Sequence, residues 1–209
     1  MLLAFDTATS AVTVALHDGA RVIAESTTVD ASRHGELLAP RMRAVLTDAR
    51  AEVSDVTRIA VGVGPGPFTG LRVGLMTART MAAVLQVPAV GVCTLDVVAA
   101  AVTCAESFLV ATDARRKEVY WARYDSPTSR VSDPAVSKPA DMADPGPVAG
   151  VGPSLYPEHF PHPLAPEFPR AADLARLVAS GTAQLLPVEP LYLRRPDVAE
   201  PGSRKRVGR

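Results

Sequence analysis

Residues 1–18 read MLLAFDTATSAVTVALHD, and residues 108–125 read FLVATDARRKEVYWARYD. Shared strand composition inflates any match between such stretches, so two unrelated hairpins are one explanation. We favour an internal duplication in which each half opens with a strand, a turn and a second strand. At a constant offset of 107 and without gaps, the identical pairs are Leu2/Leu109, Ala4/Ala111, Asp6/Asp113, Val12/Val119, Ala15/Ala122 and Asp18/Asp125.

The residue pattern in the first half of the chain predicts a mixed five-stranded sheet. Apolar runs and alternation mark strands, Asp18-Gly19 is a hairpin signal, and helical spacing marks two helices, the first with Pro40 inside it. A strand reached through a helical crossover is typically parallel to its neighbour. The predicted order is strands 2–5, 12–16 and 21–26, helix 33–48, strand 58–63, helix 69–86 and strand 89–93. This order predicts an α/β fold with a ribonuclease-H-like lobe.

The second half predicts a degraded copy of this lobe. Residues 127–169 hold eleven of the nineteen prolines, which favours loops and short edge strands. A short amphipathic helix is predicted over residues 171–179. We therefore predict an N-terminal lobe over residues 1–101, a C-terminal lobe over 102–198 and a basic, disordered tail over 199–209.

Composition disfavours several classes of function. The formal net charge of the 209 residues is zero, whereas a stand-alone nucleic-acid binder usually carries a basic excess. Cys93 and Cys104 lack a CxxC spacing, which argues against zinc and for small buried hydrophobes in a reducing cytosol. The chain shows neither a signal peptide nor the roughly 18 apolar residues that a membrane span needs, so we expect a cytoplasmic protein.

The glycine-rich stretch VGVGPGPFTGLRVG, residues 61–74, does not match a phosphate-binding loop. A P-loop needs a lysine, and no lysine precedes residue 117; the dinucleotide pattern fails at Pro67 and at Thr69. Pro65 and Pro67 also remove two N–H donors. We therefore expect Gly64 and Gly66 to shape a tight exit from the strand, with Thr69 as the N-cap of the next helix.

Within that helix small residues recur every four positions, at Gly70, Gly74, Ala78 and Ala82. Such a ridge permits close packing against a sheet or another helix. The sequence leaves open whether the ridge packs on this chain's own sheet or on a second molecule.

Several segments together resemble the TsaB family of tRNA threonylcarbamoyladenosine biosynthesis proteins, formerly grouped as glycoprotease-like. They are the opening AFDTATSAVTVAL, SRHGELLAP, GPGPFTGLRVG, DARRKEVYWARY and PLYLRRPD, and they span residues 1 to about 198. Pro67 stands where the family usually has serine.

The resemblance implies two lobes of the actin-like ATPase (ASKHA) superfamily and a non-catalytic subunit that binds no cofactor alone. Asp6, Thr7 and Asp113 would line a vestigial nucleotide cleft. The implied partners are the metal-binding subunit TsaD and the ATPase TsaE, and ATP and metal belong to that complex. The complex transfers threonylcarbamoyl to N6 of the adenosine 3′ of the tRNA anticodon.

The resemblance also implies that the helices at 33–48 and 69–86 contact TsaD, or form a homodimer without it. The mixed apolar and arginine composition of these helices suits an interface. The candidate contact residues are Leu38, Arg41, Met42, Val45, Leu71, Arg72, Leu75, Met76 and Arg79.

Two other functions are weighed from the residues. A stand-alone ATPase or kinase would use Asp6 with Thr7 and Thr9 around a metal–nucleotide, whereas a strand-end carboxylate commonly accepts turn N–H groups instead. A peptidase needs a metal pair or an activated nucleophile, but His34 has no partner at helical spacing and prolines interrupt the HxxH of His159 and His162. Basic residues of the tail could touch tRNA, although a solvated terminus is the simpler explanation: Arg204, Lys205, Arg206 and Arg209.

Overall fold

The computed structural model describes residues 1–142 and 145–194. Its first sheet, the core of the N-lobe, has the strand order β3-β2-β1-β4-β5. Its strands are β1 (Leu2–Asp6), β2 (Ala11–His17), β3 (Val22–Val29), β4 (Arg58–Gly62) and β5 (Ala89–Val92). Strands β1, β2 and β3 are antiparallel, and β4 and β5 continue the sheet parallel to β1, so the predicted mixed sheet is confirmed.

Three helices cover the two faces of this sheet. The helices α1 (His34–Asp48) and α2 (Phe68–Leu85) lie on one face, and α5 (Ala171–Ser180) lies on the other. Successive side chains of β1 point to opposite faces, so Phe5 packs under α1 and α2 while Ala4 packs under α5. Both faces are therefore buried, which explains why β1 and β2 read as continuous apolar runs.

The second sheet, the core of the C-lobe, repeats this topology with shorter outer strands. Its order is β11-β10-β6-β7-β8, and β9 also pairs with β7. Strand β6 is antiparallel to β7 and parallel to β10, as β1 is to β2 and β4. The elements are α3 (Thr94–Ala99), β6 (Phe108–Asp113), β7 (Val119–Ser126), β8 (Ser129–Arg130), β9 (Ala135–Ser137), β10 (Val148–Ala149), α4 (Gly152–Leu155) and β11 (Pro163–Leu164). The repeated topology supports the duplication.

The gap-free alignment of the two hairpins is wrong in its second half. Asp6 pairs with Thr13, whereas Asp113 pairs with Val119, so the second hairpin loop is one residue shorter. A one-residue shift turns each side chain to the other face of the sheet. The identities in the first strand are therefore structurally equivalent, and those at Val12/Val119, Ala15/Ala122 and Asp18/Asp125 are not.

The predicted boundary at residue 101 separates the sheets but not the helices. Helix α3, assigned to the N-lobe, packs in the C-lobe core against Phe108 and Val110, and α5 packs on the N-lobe sheet. After α5 the chain stays on the N-lobe, where Leu186 pairs with Gly91 and the Leu191 amide donates to Val63 O. The tail at residues 199–209 lies outside the described residues.

Candidate docking face

The glycine loop is held against the turn after β1. Gly64 has φ of +91°, and its N–H donates to Thr94 Oγ1 at 3.1 Å. A Cβ atom on Gly66 would lie 1.9 Å from the carbonyl oxygen of Ala8, so only glycine fits there. The loop packs on the protein itself at Gly66, and it leads directly into α2.

Helix α2 does not use Thr69 as its N-cap, contrary to the sequence prediction. The cap position is Pro67, the helix begins at Phe68, and no side chain caps its first amides. Thr69 is the second residue of the helix and is exposed. The helix begins one residue early because Pro67 in extended backbone already sets the turn into it.

The small-residue ridge of α2 packs within the chain. A Cβ atom on Gly70 would lie 2.5 Å from Thr7 O, and one on Gly74 would lie 2.5 Å from Thr7 Oγ1. The Thr7 hydroxyl donates to Gly70 O at 2.8 Å and accepts from Gly74 N at 3.0 Å. Of the two alternatives for the ridge, the structure therefore shows packing on the protein's own sheet at these positions.

Asp6, at the end of β1, is closed off from solvent. Its Oδ1 accepts the Ala8 amide at 2.7 Å and its Oδ2 accepts the Thr94 hydroxyl at 2.7 Å. Burial raises the pKa of Asp6 to about 6, against the opposing effect of these two hydrogen bonds. The carboxylate thus serves the turn after β1, as the simpler of the two interpretations expected.

Asp113 ends the equivalent strand of the C-lobe and is also engaged locally. It accepts the Arg115 amide at 2.7 Å and forms an ion pair with the Arg115 guanidinium at 3.3 Å. Asp6, Thr7 and Asp113 thus all have hydrogen-bond partners within the chain.

Five of the nine predicted contact residues are core residues, which corrects that assignment. Their spacing placed them on one stripe of each helix, and that stripe faces the sheet because burying apolar side chains against it is favourable. At most 6% of each is exposed: Leu38, Met42, Val45, Leu71 and Leu75. Only Met76, with 57% of its surface exposed, is an apolar member of the set that a partner could reach directly.

The three predicted arginines have partners within the chain. Arg41 is half-buried, and its nearest polar contact is Ser26 Oγ at 3.5 Å. Arg79 Nε donates to Val188 O at 2.7 Å, and Arg72 Nε donates to Tyr192 OH at 3.1 Å. Arg72 and Arg79 therefore hold the segment after α5 along α2, a role that no sequence pattern indicated.

An aromatic pair reinforces this contact. Phe68 stacks on Tyr192 with ring centroids 5.6 Å apart, and the Arg72 guanidinium lies 3.6 Å from the Phe68 centroid. Both rings are more than one-third exposed. The C-terminal segment thus borders the exposed side of α2.

We call the exposed side of α1 and α2 the outer helical face. Helix α2 contains no acidic residue, and its exposed Val84 is 75% accessible. Large exposed apolar side chains beside small residues are typical of surfaces that bind other proteins. The exposed residues of the two helices that form this face are Gly35, Glu36, Ala39, Pro40, Arg43, Thr47, Asp48, Phe68, Thr69, Arg72, Met76, Arg79, Thr80, Ala83 and Val84.

The candidate metal ligands and nucleophiles among the described residues do not form a recognisable catalytic or metal site. They contain no cluster of three metal-ligating side chains. His34 is buried with Nε2 2.6 Å from Thr9 O. Cys93 occupies the N-cap position of α3, and burial raises the pKa of its thiol to about 12. In the described part of the chain no helix is long and apolar enough to cross a membrane.

A polar pocket of about 560 Å³ lies between the β7–β8 region of the C-lobe and the end of α5, and it was not predicted. Arg130 pairs with Asp96 at 2.9 Å, and Tyr124 OH donates to the same carboxylate at 2.7 Å. Burial raises the pKa of Asp96 despite both partners. These residues are far apart in sequence, so no spacing could reveal them.

The fold defines a two-lobed α/β protein with a mixed sheet of the same topology in each lobe, in which the strand-end carboxylates Asp6 and Asp113 accept hydrogen bonds from within the chain. The family model described as "TsaD: tRNA N6-adenosine threonylcarbamoyltransferase" matches residues 21–186. YeaZ from Pseudomonas aeruginosa is 33% identical, with a TM-score of 0.75 over 92% of this chain and 99% of that chain. The chain belongs to this family, in its TsaB (YeaZ) branch.

Sequence relatives agree with this assignment. An uncharacterized protein of Mycobacterium bovis is 45% identical over 94% of this chain and 92% of its own length. One of Mycobacterium leprae is 44% identical over 94% of this chain, which spans 55% of that protein. The tRNA threonylcarbamoyladenosine biosynthesis protein TsaB of Escherichia coli is 37% identical over 59% of this chain and 54% of its own length.

Proposed function

We propose that this chain is a non-catalytic subunit in tRNA threonylcarbamoyladenosine biosynthesis. It docks to a metal-binding TsaD subunit, which transfers threonylcarbamoyl to N6 of the adenosine 3′ of the anticodon. ATP and metal belong to that subunit and to the associated ATPase TsaE, and the assembly works in the cytoplasm. Without TsaD, the same surface forms a homodimer.

The observation that carries this proposal is the contrast between two regions of the N-lobe. At the strand end, Asp6 has both carboxylate oxygens engaged and no exposed surface. On the outer helical face, Met76 and Val84 are exposed although burial would stabilise them. A chain whose strand-end carboxylate is buried and hydrogen-bonded, and whose helices expose large apolar side chains, is suited to binding a protein.

Charge substitutions on the outer helical face test the proposal. Met76→Glu and Val84→Glu should each weaken binding to the separately purified TsaD subunit by about tenfold or more, because a buried carboxylate at an interface lacks a partner. Leu155→Glu is the matched control, since Leu155 is a similarly exposed apolar residue on α4 of the C-lobe. Calorimetry on the mixed subunits measures the affinities.

Three results would contradict the proposal. The first is unchanged affinity when both Met76 and Val84 carry a charge in folded protein. The second is tight Mg²⁺–ATP binding by the isolated chain, which would favour a stand-alone ATPase or kinase. Peptide cleavage by the isolated chain would favour a peptidase instead.

A further inference from the structure

The Thr7 side chain reaches from the end of β1 into the hydrogen-bond ladder of α2. Its hydroxyl donates to Gly70 O at 2.8 Å and accepts from Gly74 N at 3.0 Å. In a regular α-helix the N–H of residue 74 pairs with the C=O of residue 70. The hydroxyl thus contacts both members of one ladder pair; we call this arrangement the Thr7 bridge.

The two glycines are what allow the Thr7 bridge to form. A methyl group on either Gly70 or Gly74 would lie 2.5 Å from an atom of Thr7, inside contact distance. Glycine is unfavourable in a helix interior, so its presence at both contact positions indicates that close approach is the gain. The sequence pattern alone could not identify which atoms approach the ridge.

The base of the bridge is rigid. Thr7 follows directly on Asp6, which lies in a strand paired on both sides and is tied through its carboxylate to Ala8 and Thr94. Thr7 is itself 1% exposed. The Thr7 hydroxyl, directly after β1, is therefore held in a fixed position and determines where one turn of α2 packs.

We propose that Thr7 is a positioning residue for docking: the Thr7 bridge fixes how α2 lies on the sheet, and thereby where Met76 and the rest of the outer helical face are presented. This inference rests on the proposed function. Met76 lies two residues after Gly74. A shift of this turn of α2 relative to the sheet therefore moves Met76 directly. The apolar contacts of Leu71 and Leu75 hold the helix down but are less directional than the paired hydrogen bonds.

The experiment compares three variants in the full chain. Thr7→Val keeps the shape and removes the hydroxyl, and Thr7→Ser keeps the hydroxyl. Thr13→Val is the matched control, because Thr13 is also buried, also makes two hydrogen bonds and also accepts a helix amide, that of Ala171 at the start of α5. Affinity for the TsaD subunit is measured by calorimetry, and exchange of the Gly74 amide is measured on the isolated chain.

We expect Thr7→Val to weaken docking by about tenfold and to speed exchange of the Gly74 amide. Thr7→Ser should restore both, and Thr13→Val should lose stability without loss of affinity. Equal affinity of Thr7→Val and the wild type, or equal loss in Thr13→Val, overturns the inference. If wild-type protein fails to bind TsaD, the proposed function falls and the docking role with it; the amide exchange still reports separately whether the bridge holds α2.

Discussion

The carboxyl group of Asp6 fills the space beside Gly62, since a Cβ atom on residue 62 would lie 1.7 Å from Asp6 Oδ2. The end of β4 must therefore be glycine for the carboxyl group to lie under it. The two residues occupy the neighbouring parallel strands β1 and β4 at the edge where the glycine loop begins. Their fit buries the Asp6 carboxyl group completely, and it can be tested from either side.

Gly62→Ala should destabilise the protein by about 3 kcal/mol, because the added methyl group displaces a buried and hydrogen-bonded carboxyl group. Gly35→Ala is the control: nothing lies within 4 Å of its Cβ position, and alanine favours a helix, so its stability should rise by up to about 1 kcal/mol. Urea unfolding measures both variants. Equal stability of Gly62→Ala and wild type would contradict the packing described here.

Asp6 should make stability depend on pH. Its pKa is about 6 in the folded protein and 3.8 when unperturbed, so the folded state holds the proton more tightly. Stability therefore falls as pH rises from about 4 to about 6, by about 3 kcal/mol in total. Asp6→Asn does not ionise; its Oδ1 can still accept the Ala8 amide, whereas its Nδ2 can only donate to Thr94 Oγ1, so its stability relative to wild type should rise across this range. Urea midpoints of the two proteins that run parallel from pH 4 to 7 would exclude the effect.

Arg79→Ala should loosen the C-terminal segment on α2. The Arg79 bond to Val188 O is charge-assisted but exposed, so the loss should be about 1 kcal/mol. The measurable sign is faster hydrogen exchange at the Leu191 amide, which donates to Val63 O at 2.8 Å. Arg43→Ala, on the exposed side of α1, is the control and should leave that amide unchanged. Unaltered exchange in Arg79→Ala would show that the Arg79 bond is not needed to hold the segment on α2.

Arg130→Met should destabilise the C-lobe by about 3 kcal/mol. It leaves the largely buried Asp96 carboxylate with Tyr124 as its remaining partner, and an uncompensated buried charge is costly. Adding Asp96→Asn removes that charge, so the double variant should recover part of the loss. Denaturant unfolding of the wild type, Arg130→Met, Asp96→Asn and the double variant completes this double-mutant cycle. No recovery in the double variant would mean that Arg130 acts through packing rather than charge.

The sequence predicted much of the N-lobe because its signals are local. Strand alternation, the Asp18-Gly19 turn and the run into α2 each depend on neighbouring residues, and the observed elements differ from the predicted ones by a few residues at most. The hairpin of the C-lobe was found the same way. Its register was not, because the length of the loop between Asp113 and Val119 is set by the turn and leaves no mark in a gap-free comparison.

The candidate site was predicted only in part. Helical periodicity correctly identified an apolar stripe on α1 that includes Leu38 and Met42, yet periodicity does not say whether a stripe meets the chain's own sheet or a partner. In the structure this apolar stripe packs against the chain's own sheet, whereas Met76 of α2 is exposed. Arg72 and Arg79 were predicted to contact a partner for the same reason. In the structure they donate hydrogen bonds to Tyr192 and Val188, in a segment that is distant in the sequence.

Local patterns in the sequence were enough to predict the strands of the N-lobe sheet, the helices α1 and α2 and the repeated strand–turn–strand opening, because backbone conformation and periodicity depend on neighbouring residues. Tertiary structure alone decided which side of α2 is free, that α3 and α5 cross between the lobes, and that Thr7 enters the helix at Gly70 and Gly74. Those features depend on contacts between residues far apart in the chain, and such contacts arise only when the whole core packs.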